Sequence, residues 1–169
     1  MVRFISAPMH LAQVNIALAR EPLDAPLLAE FMAALAPVNA RAEAAPGFVW
    51  RMQTADGDAT AVRGFGEDPR LIINLTTWES LAAMREFVYR DPEHLAVMRR
   101  RREWFERVDL HTALWWVPAG HEPSVAEAEN RLEHLRVHGP TPLAFTFRRH
   151  FAAHHPSVAV RDDRWLCPA

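Results

Sequence analysis

Between Leu71 and Val108 the apolar period of the chain changes from two to about 3.6, and this change limits the folds open to it. Leu71, Ile73 and Leu75 alternate with Ile72, Asn74 and Thr76, the pattern of a strand. Leu81, Met84, Phe87 and Val88 then follow helical spacing. Asp91-Pro92 reads as an N-cap with a first-turn proline, restarting a second helix. On a wheel of about 100° per residue, this second helix gathers Val97, Met98, Trp104, Phe105 and Val108 on one arc. His94 and Arg101 fall near the middle of that arc and are expected to point inward, about 10 Å apart along the axis at roughly 1.5 Å per residue. A small polar or anionic ligand would fit between them. The plainer reading is a hydrogen-bonded core histidine and an arginine that snorkels or pairs with a carboxylate.

The same periodicities organise the rest. His10 to Ala19 reads as a strand with Ala12, Val14, Ile16 and Leu18 on one face. Asp24 is placed to cap a helix that includes Leu28, Phe31, Leu35, Val38 and Ala42, with Pro37 expected to kink or shorten it. Phe48, Trp50 and Met52 alternate with Val49 and Arg51, and a Gly- and Asp-rich loop runs on to Pro69. Ala113 to Pro118 is apolar on both faces and reads as a strand covered on both sides. Ser124 and Glu127 suggest a capping box for a helix with Val125, Ala128, Leu132 and Leu135 inward, ended at Gly139-Pro140. Ala144 to Arg148 reads as a last short strand.

Strand, helix, strand, strand, helix, strand is the split βαβ order of an α+β, ferredoxin-like domain. The expected domain spans 9–149, with 150–169 as a C-terminal tail. Its antiparallel sheet would carry helices on one face, leaving the other to be covered by a second copy, with Trp115 or Trp116 at the contact. A 169-residue chain that is 50% apolar supports one such core. A formal charge of −2 leaves no footprint for nucleic acid, and the Arg99 to Arg102 run is interrupted by a helix's apolar face. No apolar run has the length of a membrane span, and neither a signal sequence nor a cysteine pair is found, Cys167 being alone, so a cytoplasmic setting is expected.

QVNIA, PGFVWRMQ, LIINLTTWESLAAMREFVYRDPEHLAVMRRRREWF and AFTFRR, in this order between Met9 and Arg149, resemble the bacterial family called domain of unknown function 3291. The Trp-Glu-Ser followed by helices is also similar to the wider dimeric α/β-barrel superfamily, which includes antibiotic-biosynthesis and heme-degrading monooxygenases. The resemblance implies a homodimer built by packing two sheets into a barrel, with a pocket between each sheet and its helices. In the heme-degrading members the working residues are an Asn, a Trp and a heme-ligating His. Here Asn15 matches the first, the Trp position falls on Phe87, and the His position falls near Val97, three residues from His94.

Asn15 and Asn74 lie on neighbouring strands and each interrupts an apolar alternation. They are expected to orient a substrate, or else to bond each other or a buried water. Trp78, Phe87, Tyr89, Val97 and Trp104 complete the expected ligand wall, and aromatics at such positions are also the ordinary content of a core. His134 and His138 have i,i+4 spacing but no third ligand nearby, so no metal is expected. No phosphate-binding glycine motif and no nucleophile elbow occurs. Three readings stand. One is a cofactor-independent, monooxygenase-like enzyme acting on a small apolar or quinonoid compound through Asn15, Asn74, His94 and Arg101. The others are a heme-binding protein ligated by His94 and a non-catalytic dimer that binds a small ligand.

Overall fold

The computed structural model describes residues 2–6, 8–66, 68–153 and 157–161. The strands are β1 (Val2–Ser6), β2 (Met9–Leu18), β3 (Phe48–Arg51), β4 (Leu71–Trp78), β5 (Thr112–Pro118) and β6 (Ser157–Arg161). The helices are α1 (Ala29–Glu43), α2 (Leu81–Arg90), α3 (Pro92–Trp104) and α4 (Val125–His138). β2 to β5 form one antiparallel sheet in the order β3-β4-β2-β5, the ferredoxin-like arrangement. β1 and β6 pair separately as a two-stranded ribbon. That ribbon was not legible in the sequence, where 150–169 reads as a tail.

Register assigns the two faces of the sheet. Ala12 stands opposite Thr77 and Trp115, and Val14 opposite Leu75 and Ala113. This first face, with Ile16, Ile73 and Val117, is at most 2% exposed and packs on Ala128, Leu132 and Leu135 of α4. The expectation that a second copy must cover this face is therefore corrected. The appended helix turns back across it, and α1 to α3 occupy the other side. Trp115 lies beneath α4, its indole Nε1 donating to Glu127 Oε1 at 2.8 Å, while Trp116 Nε1 donates to the Phe151 carbonyl at 2.8 Å. Trp115 needs no partner subunit to be covered, whereas Trp116 is half-buried. Glu127 thus makes only half of the expected capping box: Ser124 Oγ accepts from its backbone N–H, but its carboxylate is turned to Trp115 and His121.

The second face carries Leu11, Gln13, Asn15 and Ala17 of β2 opposite Trp78, Thr76, Asn74 and Ile72 of β4. Apolar clusters close its two ends. Leu28, Phe31, Ile72, Trp104 and Phe105 pack at one, and Leu11, Trp78, Met84, Leu114 and Phe145 at the other. The polar middle of the sheet lies between them.

Several local expectations need revision. Asp24 does not cap α1, which follows a 3-10 turn at Pro26–Leu28 without a side-chain cap and runs continuously through Pro37. Ala144 to Arg148 is not a strand: Phe145 makes an isolated bridge to Leu114, its N–H and C=O bonding at 2.8 and 2.9 Å, and so closes the open edge of β5. Register shifts between Phe48 and Trp50, so Phe48 faces Trp78 while Trp50 faces Thr77 and Arg51 faces Thr76. This bulge breaks the strict alternation expected of β3.

Candidate functional site

The polar middle of the second face is built by register. Asn15 and Asn74 are directly opposed, with Thr112 on the other side of Asn15. Asn15 Nδ2 donates to Thr112 Oγ1 at 3.1 Å, so the two amides do not bond each other. Among the described residues the Asn74 side chain has no hydrogen-bond partner, and it is exposed although it sits mid-sheet. One row further along, Trp78 Nε1 donates to Thr76 Oγ1 at 3.1 Å, and Thr76 Oγ1 donates to Gln13 Oε1 at 3.0 Å. These bonds satisfy Gln13 Oε1, Thr76 Oγ1 and Trp78 Nε1 and leave Asn74 and, on α1, Asn39 as cavity-lining amides with no side-chain hydrogen bond among the described residues.

The opposite wall is set by α3, whose start is fixed from two directions. Asp91 accepts from the His94 backbone N–H at 2.9 Å, and Arg41 of α1 reaches the same carboxylate at 2.6 Å. The Arg41 guanidinium holds the Asp91 carboxyl below its ordinary range. His94, in the first turn, packs its ring 5.1 Å from Phe87 and places Nδ1 3.0 Å from the Val88 carbonyl. A carbonyl only accepts, so Nδ1 carries the proton and Nε2 keeps its lone pair. Burial lowers the pKa of His94 below its ordinary 6.5, and the Val88 carbonyl and Asp91 offset this only in part. His111, just before β5, repeats the arrangement: its Nδ1 is 3.0 Å from the Val108 carbonyl, and burial lowers its pKa with help from the charge of Arg101.

Sheet and helices enclose a cavity of two joined lobes, about 170 and 480 Å³. Asn15, Asn39, Arg51, Asn74, His94 and Arg101 line both and form the waist between them. Among the described residues Arg101 has no carboxylate partner and is half-buried, as a snorkelling arginine would be, and the His94–Val88 bond fits the plainer reading of a hydrogen-bonded histidine. Arg51 is different. Its side chain is 11% exposed and pairs with Glu43 at 2.7 Å.

The expected wall residues divide. Val97 lines the smaller lobe, whereas Trp78, Phe87 and Tyr89 line the larger. Trp78 stacks on Phe87 at 5.5 Å, and Tyr89 is exposed at the mouth with its ring 5.6 Å from Phe147. Trp104 lines neither lobe: it is buried against Phe31, with the Arg100 guanidinium over its ring. Arg51, Asn39 and His111 were not singled out from the sequence. The bulge that turns Arg51 inward has no signal in the Phe48 to Met52 alternation, and His111 lies in a connection where periodicity says nothing.

His134 and His138 stack at 4.6 Å on α4, with His134 Nε2 2.8 Å from Thr141 Oγ1. No group of three metal-ligating side chains occurs among the described residues. Cys167, His154 and His155 lie outside the described residues. No helix among the described residues is long and apolar enough to cross a membrane.

Among solved structures, the chain is similar to SnoaB, a cofactor-independent oxygenase from Streptomyces nogalater, at 18% identity and a TM-score of 0.44, covering 67% of this chain and 95% of that one. It is similar to Rv0793 from Mycobacterium tuberculosis at 16% identity and a TM-score of 0.44, covering 68% and 99%. Protein SO0527 from Shewanella oneidensis aligns at 13% identity and a TM-score of 0.43, covering 69% and 95%. No curated protein matches. The sequence profile of one family matches residues 10–161, nearly the whole chain, and the protein thereby belongs to the family described as domain of unknown function 3291.

Proposed function

We propose that the cavity between the sheet and α1 to α3 is a small-molecule active site, in which His94 removes a proton from a flat, largely apolar compound and Arg101 stabilises the resulting anion. Asn15 and Asn74 orient the substrate, and Trp78, Phe87 and Val97 supply apolar wall. The reaction is monooxygenase-like. An electron-rich quinol anion transfers electrons to oxygen directly, so that a quinol with a free ring C–H and O2 give the hydroxyquinone and water without a bound cofactor. The observation that carries this reading is the pairing of roles at the waist. His94 is held neutral with Nε2 unprotonated, and Arg101 is a cation with no partner among the described residues.

Oxygen uptake with a panel of quinols tests it. His94→Ala is expected to lower uptake by about 10²-fold or more, the usual size of a lost general base. Unchanged uptake in both His94→Ala and Asn15→Ala would remove these residues from the mechanism and leave a ligand-binding protein without turnover. The same bare Nε2 favours a second reading, in which His94 is the axial ligand of heme and Arg101 pairs with a propionate. A Soret band on adding hemin, lost in His94→Ala, would decide for it. The single cysteine supports a reducing, cytoplasmic setting. A homodimer would have to form through surfaces other than the two covered faces of the sheet, and light scattering at micromolar concentration reads its mass.

A further inference from the structure

We infer that the preferred ligand is a single-ring aromatic acid, with its ring in the smaller lobe and its ionised group at the waist on Arg101. The inference rests on the reading of this cavity as a small-molecule site and adds the ligand's size and charge. The smaller lobe, about 170 Å³, is walled beyond the waist mainly by Phe31, Leu35, Val38, Ile72, Val97 and Phe105. An apolar cavity of about 150 Å³ takes one benzene ring, so a second fused ring would have to extend out of this lobe past the polar waist. The larger lobe ends at an open mouth beside exposed Tyr89 and Leu110, and it holds water or a polar extension of the ligand.

Charge at the waist selects the sign. Arg51 is balanced by Glu43, but Arg101 is balanced by no carboxylate among the described residues. Asp58 is the one carboxylate lining the smaller lobe among the described residues, and its Oδ1 accepts from the Thr60 backbone N–H at 2.8 Å and from Thr60 Oγ1 at 2.6 Å. It is turned into its own loop. His94 and His111 bring no positive charge near neutral pH, because both are desolvated. At the waist one uncompensated cation, Arg101, therefore faces the ligand, with Asn74 free to donate a hydrogen bond beside it, while Arg148, also without a carboxylate partner among the described residues, lines the outer lobe. A guanidinium and an amide meeting at the end of an apolar slot match an aryl carboxylate or phenolate.

Isothermal titration calorimetry with benzoate, benzamide and 2-naphthoate at neutral pH and low salt tests this. Benzoate is expected to bind at least about tenfold more tightly than its neutral isostere benzamide and than the two-ring 2-naphthoate. Arg101→Gln should bring benzoate and benzamide within about twofold, and Arg101→Lys, which keeps the charge, should retain most of the preference. Thermal melts confirm that each variant is folded. Absence of benzoate binding, equal binding of benzamide, or 2-naphthoate binding as tightly as benzoate would each overturn the inference. His94→Ala separates it from the proposed reaction. If the variant loses oxygen uptake and benzoate never binds the wild type, only the inference fails. If benzoate binds both proteins alike and no quinol is turned over, the enzymatic reading fails and the inference stands.

Discussion

Replacing Glu127 by Ala should destabilise the protein by about 2 kcal/mol, most of it through a tryptophan that is not itself altered. Trp115 is fully buried, and the only partner of its indole N–H among the described residues is Glu127 Oε1 at 2.8 Å. Truncating Glu127 strands that donor beneath α4, where water does not reach it, at a cost of about 1–3 kcal/mol. The other contacts, His121 Nε2 at 2.7 Å and the Arg131 guanidinium at 3.8 Å, join part-exposed side chains, so together they add no more than about 1 kcal/mol. For a chain of this length each kcal/mol moves Tm by roughly 2–4 °C, giving a fall of about 4–8 °C. Urea unfolding followed by far-UV circular dichroism measures the free energy, with the slope m unchanged. Glu127→Gln keeps an acceptor at the same place and should recover most of the loss. In the Glu127→Ala background, Trp115→Phe removes the stranded donor, so the double variant should be more stable than the sum of its parts by about 1 kcal/mol. A loss below about 0.5 kcal/mol in Glu127→Ala, or strict additivity in the cycle, would refute the account of a satisfied buried indole.

Two further predictions concern the cavity. Arg101→Leu should change the unfolding free energy by less than about 1 kcal/mol, because no buried carboxylate is stranded; a loss of about 3–5 kcal/mol in urea would instead reveal a structural ion pair. His94 should titrate below its ordinary 6.5 in an NMR experiment, since burial disfavours its charged form. The unfolded chain then binds more protons just under that pH, so stability is full above 6.5 and falls as pH drops toward the lowered native value. The fall should be shallower in His94→Gln, and an equal slope in the two proteins would show that His94 does not contribute.

Much of the fold was legible because it rests on periodicity. The alternation in β2 and β4, the Asp91-Pro92 restart and the inward row of α4 all depend on neighbours a few residues apart, and the structure keeps them. Inward placement of His94 and Arg101 came from the same source, since a wheel drawn on a real helix is a statement of geometry. What was missed depends on contacts distant in sequence. No local pattern says that β3 carries a bulge, and a shift of one residue reverses which side chains reach the cavity, as it does for Arg51. Nor does the apolar run Ala113 to Pro118 say what covers it. A partner subunit and a returning helix are equally apolar covers, and the choice was made by α4.

That choice bears on how the protein responds to dilution. When a sheet is covered by a second molecule, its folded state is linked to concentration, and its melting point falls as protomers separate. Here the cover is tethered to β5 by the few residues between Pro118 and Val125, so it is always present at the sheet it protects. The part of the melting temperature that comes from covering this face should therefore not change between nanomolar and micromolar protein, so a chain made in a few copies per cell would keep that face covered as firmly as one made in thousands.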